Sequence, residues 1–313
     1  MVTLDVGLDL GDEVVVALGA DRLPAFAVDH FRHSDLLEDD GRIVARGGCG
    51  YLVETLESES GTRIQLCGRL VLELRGKRLE AALPGRQGRL LFVYLAANRA
   101  RSLARDELVE AVWPANPPGA AEASLSALLS KLRRVLGAET LVGKSQMRLV
   151  LPPDAWIDLE AASVGVHRAE SAVALGEWSR AWAPARIALY VANRGFLPGE
   201  DAPWIEERRR RLEDVRLRAL ECIAAAGLAM GGTELAAAER SARTLVELAP
   251  FRESGYRFLM EALAASDNAA EAIRVFDRLR LLLRDELGLA PGAAAQELHR
   301  RLLARLDVVR PDG

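Results

Sequence analysis

The chain is poor in cysteine: three in 313 residues, Cys49, Cys67 and Cys222, with no CxxC pair among them. An odd count without metal-ligand spacing excludes a disulfide framework and a cysteine-rich zinc site, and it fits a reducing compartment. Long apolar runs are missing too. The longest, Leu90 to Ala97, is eight residues, far short of the ~18 that a membrane-spanning helix needs, so no membrane partner is expected. The start of the chain lacks the basic residues and apolar core of a signal peptide and carries Asp9, Asp12 and Glu13 instead; the expected location is the cytoplasm. Catalytic signatures are absent as well: there is no GxSxG elbow and no local pattern around a cysteine that marks a nucleophile. His30 and His33, beside Asp29 and Asp35, are a conceivable metal pair, but nothing completes the ligand set, and His167 and His299 sit in helical contexts far along the chain. Solvated histidines are the simpler reading, and neither an enzyme nor a cofactor nor a metal is expected. Finally, there is no overall excess of positive charge. Lys and Arg number 41 against 45 Asp and Glu, giving a net charge of −4 and a pI near 5.8, which for the whole chain argues against a nucleic-acid binder.

What the chain does have is material for more than one core, half its residues being apolar and 27% charged. It also has a segregated charge. Residues 1–62 hold 4 basic and 13 acidic side chains, residues 63–153 hold 15 and 7, and residues 154–313 hold 22 and 25. The nets are −9, +8 and −3, so the average conceals one basic block of the kind that meets a polyanion.

Within that block, Arg63–Leu66 and Leu70–Leu74 alternate polar and apolar, and Arg75-Gly76-Lys77 supplies a turn before Arg78, which predicts short antiparallel strands. Apolar residues from Leu90 to Ala97 predict a first helix ending near Asn98. A second follows Ser102, with Asp106 and Glu107 in its first turn and Pro114 as its stop. Three prolines keep the segment from Trp113 to Gly119 out of helical structure. A third helix starts at Ala121 and stops at Gly137; Leu125, Leu128, Leu129, Leu132, Val135 and Leu136 form one apolar stripe along it. Its other face carries Ser126, Ala127, Ser130, Lys131, Arg133 and Arg134. Small side chains allow close approach to a major groove, and cations then meet guanine edges and phosphates; a solvated basic face is the competing reading. Leu141-Val142 and Met147–Leu151 flank Gly143-Lys144-Ser145-Gln146 and predict a hairpin with Lys144 and Arg148 at or near its tip. Strands, three helices and a hairpin are the order of a winged helix-turn-helix.

The run from Ile64 to Leu151, with Leu-Val-Glu-Ala-Val-Trp-Pro in the second helix and Ser-Lys-Leu-Arg-Arg-Val-Leu-Gly in the third, resembles the winged helix of OmpR/PhoB-type response regulators. It is closer still to the version in the Streptomyces antibiotic regulatory proteins, the SARP family. That family carries a bacterial transcriptional activator domain behind the winged helix, and Gly195–Glu200 with Trp204 and Glu207, Leu248-Ala-Pro250 with Glu253 and Tyr256, and Asp285–Pro291 are similar to it. One departure is Gln146-Met147-Arg148, where relatives usually place a Gly-Tyr pair in the second wing strand. Independently of the family, Ala238, Ala242 and Leu245 recur as Ala272, Phe276 and Leu279, a spacing of 34, which is the tetratricopeptide period; a generic helical bundle is the alternative.

The expected fold is therefore mainly α: an acidic extension with candidate β-strands over 1–62, an α+β winged helix-turn-helix over 63–153, an all-α tetratricopeptide-like activator domain over 154–308, and a tail over 309–313. The resemblance implies a nucleoid-associated transcriptional activator that binds direct repeats in double-stranded DNA upstream of promoters, pairs head to tail there, and recruits RNA polymerase. It puts DNA contact on Ala127, Ser130, Lys131 and Arg134, with Ser126 and a phosphate-facing Arg133 beside them, on Lys144 and Arg148 of the wing, and polymerase contact on the loop Pro114, Ala115, Asn116, Pro117, Pro118 and Gly119. The rival reading is a tetratricopeptide scaffold whose basic domain binds protein or RNA. Gly137–Ser145 resembles a phosphate loop, but five residues separate its glycines where that motif has four, and it lies between a helix and a hairpin. For residues 1–62 three readings stand: an appendage that folds onto the basic domain and limits DNA binding, an independent partner module, or an extension without a specific role. Candidate strands there are Val14–Leu18, Ile43–Ala45 and Tyr51–Val53, around an acidic turn at Glu38–Gly41.

Overall fold

A computed structural model describes residues 61–309, with side chains to 305, and three short strands before them. Those strands, β1 (Val14–Val15), β2 (Leu36–Asp39) and β3 (Arg42–Ala45), form an antiparallel sheet in the order β1-β3-β2. The other features predicted over 1–60, including His30, His33 and the strand at Tyr51–Val53, lie outside the described residues.

The basic block opens with β4 (Arg63–Gln65), β5 (Val71–Leu74) and β6 (Lys77–Arg78), joined antiparallel in sequence order. Arg75 and Gly76 both take positive φ, 53° and 72°; the mirror-image turn they form matches the twist of the flanking strands. Three helices follow, α1 (Gly85–Ala97), α2 (Arg105–Val112) and α3 (Ala121–Leu136). Between the first two, β7 (Leu103–Ala104) pairs with β9 (Gln146–Leu149), which also pairs with β8 (Leu141–Val142) to make the wing. This is the winged helix-turn-helix order. Leu125, Leu129, Leu132 and Leu136 of α3 are buried, with Leu128 and Val135 half-buried on the flanks of the stripe, so helical periodicity alone orients this helix.

The next strand, β10 (Trp156–Ile157), returns to the first sheet and runs parallel to β4, giving the order β10-β4-β5-β6. Seven helices follow: α4 (Asp158–Ala174), α5 (Trp178–Asn193), α6 (Pro203–Met230), α7 (Leu235–Leu248), α8 (Glu253–Ala265), α9 (Ala269–Leu287) and α10 (Ala293–Val309). Each packs on its neighbour in sequence from α4 to α10, as helical hairpins stacked in one direction do. Ala238, Ala242 and Leu245 of α7 and Ala272, Phe276 and Leu279 of α9 are all buried. The 34-residue recurrence is therefore the stacking face of two successive hairpins, and the array is tetratricopeptide-like.

One core runs from the winged helix into the helical array. Ile64, Leu66, Leu91, Leu108 and Leu129 share a buried cluster with Ala162, Val191, Phe196, Ile205 and Leu212. Polar contacts reinforce it. Asp158, wholly buried, accepts the amide hydrogens of Leu66 at 2.9 Å, Cys67 at 2.8 Å and Leu159 at 2.8 Å, and a hydrogen bond from Arg194 at 3.1 Å. Leu197 donates to the Leu66 carbonyl, Gly68 donates to that of Gly195, and Trp204 donates through Nε1 to the Ala111 carbonyl at 3.0 Å, capping one of the open carbonyls at the end of α2. The Trp204 ring meets Tyr94 and Phe196 edge-on.

Candidate nucleic-acid interface

The apolar stripe of α3 faces the core, so its opposite side is presented to solvent. Ser126, Ala127, Ser130, Lys131 and Arg134 are all exposed there, and the spacing of three and four residues among 127, 130, 131 and 134 keeps those four on one face. Lys131 and Arg134 make no ion pair with any described residue, nor do Lys144 and Arg148. Three carboxylates of the same domain are engaged with other cations: exposed Glu122 with Arg105 at 2.8 Å, exposed Glu139 with Arg75 at 2.9 Å, and half-buried Glu107 with Arg101. The positive charge of the block is thus left uncompensated where a polyanion would have to come.

Not every predicted residue joins that face. Arg133 is half-buried on the flank of α3. Its Nε donates to the Leu141 carbonyl at 3.1 Å and its Nη2 to the Gly143 carbonyl at 2.7 Å, with the Met147 sulfur 3.6 Å away. Ser126 is exposed, but its hydroxyl accepts from Arg105 Nη2 at 2.7 Å. In the wing, Met147 and Leu149 point into the core while Gln146 and Arg148 point out, so the departure at 146–148 places a buried Met beneath the hairpin. Lys144 is exposed in the turn between β8 and β9. Arg148, opposite Val142 in the strand pair next to the turn, lines a groove between the wing and α4 with Arg99, Val150, Glu160 and Val164. Of the loop after α2, Pro114, Ala115, Asn116, Pro117 and Gly119 are exposed and Pro118 is half-buried; the Trp204 cap on Ala111 anchors its first end.

Arg105 is the residue of this region that the sequence did not single out. At the start of α2, it donates to the Glu122 carboxylate at 2.8 Å, to the Ser126 hydroxyl, and to the Lys144 carbonyl at 3.4 Å, so it touches α3 and the wing together. No periodicity signals this, because its partners are brought by the fold from far along the chain.

Other chemistry is quiet. Burial pushes the Cys67 thiol far up, Asp158 adding to it, and raises Cys222 to about 12; neither is poised as a nucleophile. Among the described residues no group of three or more metal-ligating side chains forms, and no helix is long and apolar enough to cross a membrane. His299 stacks on Phe276, and His167 sits beside Arg218 and Glu170. The segment 137–145 runs from the end of α3 through β8 into the wing turn, without the strand-loop-helix setting of a phosphate loop.

Comparison with known proteins agrees with this architecture. Residues 157–303 match the family described as bacterial transcriptional activator domain. The chain is 33% identical over 249 residues to the regulatory protein AfsR of Streptomyces coelicolor, covering 79% of this chain and 25% of that protein. It is 26% identical over 253 residues to the transcriptional regulatory protein MoaR1 of Mycobacterium tuberculosis, covering 78% and 80%. Among solved structures, Mycobacterium tuberculosis EmbR in complex with a low-affinity phosphopeptide has the same fold, with a TM-score of 0.67 at 24% identity over 80% of this chain and 66% of that one. A winged helix-turn-helix continued by a tetratricopeptide-like activator domain defines a class of bacterial transcription regulators. This chain is similar to that class, and its activator domain is the part carried by the family match over 157–303. The chain spans about a quarter of the length of the AfsR proteins it matches, and the relatives carry the names of regulatory or transcriptional regulatory proteins.

Proposed function

We propose that this protein is a sequence-specific DNA-binding activator of transcription. In this reading α3 lies in the major groove, with Ala127 and Ser130 at the closest approach and Lys131 and Arg134 on base edges or phosphates, and Lys144 meets the neighbouring backbone. The observation that carries the proposal is the exposed face of α3: small residues and two cations without an ion-pair partner, on a helix fixed by four buried leucines. The family supports the rest, namely direct repeats upstream of promoters, head-to-tail pairing on DNA and contact with RNA polymerase through 114–119. A loop stiffened by three prolines and anchored through Trp204 suits such a contact, since little conformational entropy remains to be lost on docking.

A gel-shift with the DNA upstream of the protein's own gene, and Lys131→Ala and Arg134→Ala alongside, tests the proposal. A discrete shift that either substitution weakens supports it. Loss of a bidentate base contact costs about 1–3 kcal/mol, roughly 5- to 150-fold in affinity. No shift at any salt concentration favours the scaffold reading.

A further inference from the structure

The wing is a small hairpin: β8 has two residues and β9 four. A hairpin of that size is marginal by itself in water. Its turn is nevertheless tightly drawn. Gly143 has φ 102°, and a Cβ placed there would lie 1.9 Å from the Gln146 carbonyl oxygen, so the chain folds back on itself with no room for a side chain. The turn is then gripped from two directions. Arg133 of α3 takes the Leu141 and Gly143 carbonyls in one fork, and Arg105 of α2 reaches the next carbonyl, that of Lys144, while also holding Glu122 and Ser126 of α3. Each guanidinium is a planar, permanently charged set of donors, so a fork across two carbonyls fixes angle as well as distance.

We infer that Arg105 and Arg133 are positioning residues for DNA recognition: they lock the wing turn onto α3 so that Lys144 and the α3 face meet one duplex together, and Arg133 is not a phosphate contact. This rests on the DNA-binding reading above. It reassigns the phosphate-facing role that the resemblance gave Arg133, because Nε and Nη2 are turned to the wing carbonyls and the Met147 sulfur, which holds the half-buried guanidinium against the hairpin and off the exposed face of α3.

The test is a set of substitutions in the full chain, Arg133→Met, Arg133→Lys, Arg105→Met and Lys144→Ala, read by affinity for a selected duplex, by its salt dependence, by hydroxyl-radical footprinting and by amide exchange of residues 143–146. A positioning role predicts that Arg133→Lys, which keeps the charge but not the fork, loses affinity as Arg133→Met does, by about tenfold. In the Lys144→Ala background the same change costs less than about twofold, since the residue it positions is already gone. The footprint keeps protection under α3 and loses it under the wing, and the turn amides exchange faster even without DNA. Arg105→Met gives the same pattern from the other side. The inference is overturned if Arg133→Lys binds as the parent does while Arg133→Met lowers the salt slope by about one ion and adds fully to Lys144→Ala. If no duplex is bound, the DNA-binding reading fails, and unchanged turn exchange in the Arg133 variants would separately contradict the clamp.

Discussion

Asp158→Ala should uncouple the winged helix from the activator domain. The carboxylate is wholly buried, and it is the acceptor for the amides of Leu66 and Cys67, both themselves wholly buried, and for Arg194, whose side chain is 12% exposed. Truncation leaves two buried N–H groups without a partner, at about 1–3 kcal/mol each, and a guanidinium with no counter-charge. Removing one partner of a buried ion pair costs about 3–5 kcal/mol by itself. These overlap, because the same carboxylate serves all of them, so the expected loss is about 4 kcal/mol. At about 2–4 °C per kcal/mol for a domain of 150–250 residues, the first melting transition should fall by roughly 8–16 °C. Denaturant unfolding followed by fluorescence in a background where the other four tryptophans are replaced by phenylalanine, leaving Trp204 at the junction as the reporter, reads it directly. Asp158→Asn retains one acceptor oxygen but turns an NH2 group toward the second amide, and should fall between the two. A loss below about 1 kcal/mol for Asp158→Ala would refute the claim that this carboxylate joins the domains.

Other substitutions test neighbouring parts of the account. Trp204→Phe keeps the aromatic packing against Tyr94 and Phe196 but removes the hydrogen bond to Ala111; thermal unfolding should show a loss of about 1 kcal/mol, and protease sensitivity of the 113–120 loop should rise. Gly143→Ala puts a methyl group against the Gln146 carbonyl, so amide exchange across the wing should increase while the activator domain keeps its exchange rates. Tyr94 is pushed up to about 12, chiefly by burial and then by its hydrogen bond to the Glu107 carboxylate. A raised folded pKa in an acid means that the unfolded chain releases its proton first, so this group's contribution falls as the pH climbs from about 10 toward 12. The parent should lose stability over that window faster than Tyr94→Phe does in parallel denaturant titrations.

Much of this was legible in the sequence, and the reasons are specific. The stripe of α3 repeats at helical spacing, so which side faces the core and which faces outward follow from the residues themselves. The pattern in α7 and α9 was readable because each hairpin must bury the same face on the next. Strands β7 and β10 were not readable: each has two residues, and their partners, Met147 for Leu103 and Arg63 for Trp156, are supplied by closure of the whole fold. The orientation of Arg133 was hidden for a different reason. It lies between the buried and exposed sides of α3, where periodicity does not decide, and the nearby wing carbonyls do. Arg105 and Asp158 share this character, their partners being distant in sequence. Charge is a mixed case: the whole-chain balance of −4 points away from nucleic acid, and only the +8 of residues 63–153 points toward it.

The central claim, that the face of α3 reads duplex DNA by sequence, is tested most directly by selection from a pool of random duplexes with the full chain, repeated with a Lys131→Ala, Arg134→Ala double variant. The account predicts enrichment of a short element repeated in the same orientation, with centres about 10–11 base pairs or a multiple apart, and loss of that enrichment in the double variant. A pool that stays random with the parent, or an identical enriched sequence with both proteins, would contradict it.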